Sequence, residues 1–187
     1  MRYQARIPRA VLGVLGAVAI SSSLVMPAFA AETIASVEQE ITSGTLTAYI
    51  DDAALNDVAY SNNAGLTAGT LLLTVDDARG TSEGWNVSVS STDFVYGGSS
   101  PTGFDIPNTG FSITTANAPT TSAGDNVNVP YAVGGGTLNA AKTTIRADVG
   151  NGSGIYEQEL DVQLVIPAMS QAGLYETTLT VATSAAP

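Results

Sequence analysis

The chain carries seventeen carboxylates and not one histidine or cysteine. That inventory decides most of the chemistry its side chains could perform. Without histidine there is no Ser-His-Asp or Cys-His nucleophile, no imidazole proton shuttle and no ordinary zinc site. Without cysteine there is no thiol and no disulfide, so stability must come from packing and strand pairing. Oxygen chemistry remains. Asp51-Asp52…Asp57 and Asp76-Asp77…Glu83 offer the carboxylates that calcium accepts, but neither follows an EF-hand or another calcium repeat. Weak calcium association is the most either is expected to support, and no cofactor is expected. Two acids flanking a sugar bond would make a glycosidase. Here the acids are scattered over turns and outer strand faces, with no pair set apart, so the chain reads as a binder and not an enzyme.

Five further side chains could grip a ligand. Trp85, the sole tryptophan, could stack on a sugar ring. It also shares a face with Val87 and Val89, which favours the core. Arg79 could capture a carboxylate through its bidentate fork, or pair with Asp76 or Asp77 and fix the loop before Trp85; the Asp-rich turn favours the pair. Tyr49, Tyr60 and Tyr96 have polar neighbours, and offer aromatic surface if Trp85 is buried.

The elements that must position these residues are strands. Thr, Ser, Val, Gly and Asn dominate, and short runs alternate at period 2. Leu46, Ala48 and Ile50 share one face, as do Leu71, Leu73 and Val75. Phe111 and Ile113 form another such set, and Ile145, Ala147 and Val149 a fourth. The longest alternation sets Tyr156, Gln158, Leu160, Val162, Leu164 and Ile166 against Glu157, Glu159, Asp161 and Gln163. At the end of the chain Tyr175, Thr177, Leu179 and Val181 share a face. Gly- and Asn-rich turns separate these runs, and Thr115–Gly124 reads as a surface loop. A short helix is expected around Asp51–Ala59. The pattern predicts an all-β fold, one antiparallel β-sandwich of Greek-key or jelly-roll type. Its core should contain Trp85, Val87, Leu160, Val162, Leu164, Tyr175, Leu179 and Val181.

Residues 1–30 read as a signal peptide. Arg2, Arg6 and Arg9 form a basic start, an uncharged stretch follows from Ala10 to Met26, and Ala28-Phe29-Ala30 is a cleavage site. The expected mature domain is 31–187, secreted, with no membrane span, lipid-bearing cysteine or sorting signal. Arg79, Lys142 and Arg146 then stand against all seventeen carboxylates, a net charge of −14. Such a surface repels nucleic acid and anionic lipid.

Two stretches carry a family resemblance. Asp77-Ala78-Arg79-Gly80 leads into Gly84-Trp85, and the end of the chain holds Ile166-Pro167, Ala172-Gly173, Tyr175, Leu179-Thr180 and Ala186-Pro187. Together they resemble the WxL domain, a cell-wall-binding module of Gram-positive surface proteins. Val87 stands where that family has Leu, Val181 where it has its second Trp, and Thr183 where it has the following Leu. The resemblance implies non-covalent association with cell-wall peptidoglycan or with other surface proteins, weaker than usual if the second Trp helps grip the wall. An alternative is a filament or matrix subunit that self-associates by strand exchange, with Glu32–Ile50 leaving one molecule to complete a neighbour's sheet.

Overall fold

The computed structural model describes residues 37–185, so the expected signal segment 1–30, the first residues of the expected strand-exchange segment Glu32–Ile50, and Ala186-Pro187 lie outside the described residues. Contacts divide the chain into Met1–Gln39 and Glu40–Pro187, and every strand belongs to the second unit. The strands in chain order are β1 (Leu46–Ile50), β2 (Gly65–Asp77), β3 (Trp85–Ser91), β4 (Val95–Tyr96), β5 (Phe111–Ala116) and β6 (Thr120–Gly124). They continue with β7 (Tyr131–Ala132), β8 (Gly136–Thr137), β9 (Lys142–Ala147), β10 (Gly154–Ile166), β11 (Tyr175–Glu176) and β12 (Leu179–Ala185). No α-helix occurs among the described residues.

All pairings are antiparallel. The larger sheet runs β1-β2-β10-β5-β8, with β6 also on β10; the smaller runs β12-β3-β9-β7, and β4 and β11 form a separate ribbon. Its spine is the pairing of β2 with β10, thirteen residues each, from Gly154 opposite Asp77 to Ile166 opposite Gly65. The alternation in β10 holds: Tyr156, Gln158, Leu160, Val162 and Leu164 are buried beneath an acidic outer face of Glu157, Glu159 and Asp161.

The two sheets pack as a β-sandwich. Leu71, Leu73, Val75, Phe111 and Ile113 from the larger sheet meet Trp85, Val87, Val89, Ile145 and Ala147 from the smaller. The Trp85 and Tyr156 rings meet across the core at 6.3 Å. Gln158 joins the layers, its amide donating to the backbone carbonyls of Thr144 and Asn117 at 3.0 Å each. Both bonds use Nε2 and fix how the sheets face each other, while the buried Gln158 Oε1 has no hydrogen-bond partner among the described residues, which offsets part of that gain.

Several expectations need correction. Tyr175, Leu179 and Val181 are half-buried and pack against the rim of the core, because β12 is an edge strand and Tyr175 sits in the separate β4–β11 ribbon. Val149 lies past the end of β9 and is exposed. Thr115–Gly124 is no loop: β5 pairs with one half of β10, and β6 takes the other half of the same edge. Asp51–Ala59 is not helical. Asn56 donates to the Ala68 carbonyl and its own carbonyl accepts from the Thr67 hydroxyl, ties to β2 that outweigh local helix propensity. Leu46–Ile50 pairs with β2 of its own molecule, so this part of the strand-exchange segment already completes its own sheet.

Candidate functional site

The loop between β2 and β3 is a polar staple. Asp77 ends β2 pointing inward, its side chain 1% exposed. Arg79 turns back on it, Nε to Oδ1 at 2.8 Å and Nη2 to Oδ2 at 3.0 Å, while the Arg79 amide also donates to Oδ1. Nη2 reaches on to the Gly84 carbonyl at 3.1 Å. The hydrogen bond that Arg79 donates to the Asp77 carboxylate raises the Arg79 pKa above its ordinary value. Gly84 sits at φ +73, where a Cβ would strike the backbone of residues 147–149, so only glycine fits. Trp85 follows with no exposed surface, its Nε1 donating to the Gly152 carbonyl at 2.9 Å. The staple therefore fixes where β3 begins and where its side chains point.

With Trp85, Val87 and Val89 turned inward, Asn86, Ser88 and Ser90 face outward. Register then lines up four strands. Tyr131 of β7 lies opposite Arg146 of β9, Arg146 opposite Asn86 of β3, and Asn86 opposite Ser184 of β12. At ordinary strand spacing this row spans roughly 14 Å. Ser184 donates to the Asn86 side-chain oxygen at 2.8 Å, and Arg146 Nε contacts Asp148 at 3.0 Å. Tyr131 is 43% exposed. The Tyr131 hydroxyl donates to the same Asp148 oxygen at 3.4 Å, and an aromatic face, a guanidinium, an amide and a hydroxyl in one row can stack on a sugar ring and hydrogen-bond its substituents.

The charge of the two sheets is segregated. None of the four strands of the smaller sheet contains a carboxylate, and β9 holds both Lys142 and Arg146. The larger sheet carries Asp76 and Asp77 on β2, with Glu157, Glu159 and Asp161 on β10.

The five sequence candidates fall apart in space. Trp85 is core and presents no face to a ligand, and Arg79 is held by Asp77. Tyr96 is half-buried against Tyr175 with ring centroids 5.2 Å apart, and its hydroxyl donates to the Ala172 carbonyl. Gly98, Gly103 and Gly173 surround its ring so closely that a Cβ on any of them would overlap it. Burial pushes the Tyr175 phenol up, as it does Tyr156. Tyr49 is exposed on β1, and Tyr60 is exposed on the loop before β2. Sequence reasoning missed Tyr131 and its row. One local signal marked the region without revealing the row: residues 126–147 contain no carboxylate in a strongly acidic chain.

Among the described residues no three acidic side chains gather into a metal site. Asp77 and Glu83 both face Arg79. Asp125 closes its own turn: the Asn128 side chain and the amides of Val127 and Asn128 hold its carboxyl below the usual range.

A family model described as WxL domain surface cell wall-binding matches residues 28–187. The chain belongs to the WxL family. No curated protein and no solved structure matches it. The two WxL motifs of this chain lie on neighbouring strands, Gly84-Trp85 at the head of β3 and Leu179-Thr180 at the head of β12, paired so that Val181 opposes Val89. Both direct apolar side chains toward the core and leave Asn86, Ser88, Thr180 and Ser184 on the outside. Val181, where the family has its second Trp, is half-buried on the inner side. Its side chain faces away from the outer row.

Proposed function

We propose that this WxL protein is exported, released from residues 1–30, and holds the cell wall non-covalently through a single domain, 31–187, without catalysis. The observation that carries the reading is the outer face of the smaller sheet, whose four strands hold no carboxylate, crossed by the row Tyr131, Arg146, Asn86 and Ser184, with Asp148 just past β9 bridging the first two. Wall glycan is rich in hydroxyl and acetamido groups, which such a row can pair. Anionic wall polymers are repelled by the acidic outer face of β10, and this biases the domain to approach by its other side. Stacking and short hydrogen bonds are contacts that salt screens weakly. The mature protein should therefore sediment saturably with purified peptidoglycan at both about 0.1 M and about 1 M salt. Loss of binding at high salt, or no sedimentation at either, contradicts the reading. A chain truncated before Gly173 serves as the misfolded control.

A further inference from the structure

A concavity opens at one end of the sandwich, between the loop joining β1 to β2 and the segment leading into β12. This open trough has a volume of about 1120 Å³. That exceeds the roughly 300–1,000 Å³ of a typical small-molecule site. Its floor is the end of the core, including Phe94, Phe111 and Leu164, and Val58, Tyr60 and Leu174 stand exposed on its walls. Asp51, Asp52, Asp57 and Glu176 also line it, and no lysine or arginine does.

We propose that this groove docks an extended segment of a partner protein that combines basic and apolar residues. Four carboxylates without a counter-charge select a cation and repel anionic wall polymers. They also repel a second copy of this chain, whose mature charge is −14. The exposed apolar walls ask for more than charge, because Val58, Tyr60 and Leu174 gain by covering with side chains that a simple polyamine lacks. An open trough larger than a small-molecule pocket suits a polypeptide laid along it. The groove shares no residue with the row Tyr131, Arg146, Asn86 and Ser184, so this docking stands or fails independently of wall binding.

The test uses the mature domain and a fluorescent ten-residue peptide of alternating lysine and leucine, read by anisotropy. The comparison arms are spermine and a leucine–glutamate peptide of the same length. Saturable binding of the lysine–leucine peptide is expected, weakened at least tenfold by D51N/D52N/D57N and also weakened by L174S. The control E157Q/E159Q/D161N removes as many charges from the outer face of β10, and should change affinity less than threefold. Equal weakening by both triple variants, no effect of L174S, displacement by spermine at equal concentration, binding of the acidic peptide, or no saturable binding overturns the proposal.

Discussion

Replacing Trp85 by alanine should cost about 3–5 kcal/mol, the largest loss expected from any single truncation in this core. The indole has no exposed surface, meets Tyr156 from the opposite sheet, and donates to Gly152. Its removal opens a cavity where the β9–β10 turn closes over β3 and leaves the Gly152 carbonyl without its donor. Gly152 takes φ +79, and a Cβ there would press on Ala147 and the indole. The turn thus has little freedom to collapse into the space. Urea melts of wild type and W85A check the figure. A loss below about 0.5 kcal/mol, typical of a surface site, would mean the ring is not the keystone of the sandwich.

Arg79→Ala comes next, at about 3 kcal/mol. The Asp77 side chain is 1% exposed and the Arg79 side chain 16%, so deleting the guanidinium strands a buried carboxylate. The value falls at the low end for a broken buried pair because water can reach the arginine side. Removing both partners, as D77A/R79A, should destabilise less than R79A alone, since no unpaired charge is then left inside. Wall binding of the folded R79A fraction should be unchanged. If R79A instead keeps its stability and loses wall binding, Arg79 captures a ligand carboxylate and the staple has been misread.

How much of this was legible depended on chemical contrast. In β10, apolar residues alternate with Glu157, Glu159 and Asp161, so face and period could be read directly. Thr120–Gly124 offered no contrast: threonine, serine, alanine and glycine fit a loop or a strand, and only the free half of the β10 edge decides for strand. Val127, Val129, Tyr131 and Val133 were harder, because they alternate like a core strand and yet all four are exposed, while Pro130 between them is buried. An apolar period-2 run at a sheet margin can therefore point outward. The Arg79–Asp77 pair was visible as one of two options, because Asp-x-Arg in a tight turn brings the fork within reach of the carboxylate. The row across the smaller sheet could not be read, since it depends on the registers of four strands scattered between Asn86 and Ser184. The groove likewise joins two loops more than a hundred residues apart in the chain, and no local pattern announces it.

The central claim is that the wall meets the outer face of the smaller sheet. Its most direct test is a binding isotherm on purified peptidoglycan for wild type, Y131A/N86A/R146A and E157Q/E159Q/D161N, each shown by melting to be folded. All three positions in the first variant are at least partly exposed, so the fold should survive. Loss of a clustered contact of this kind is expected to weaken binding at least tenfold. The variant on the β10 face should bind as wild type or slightly tighter, having lost repulsive charge. Wild-type affinity in Y131A/N86A/R146A would contradict the account and move the wall contact to another surface.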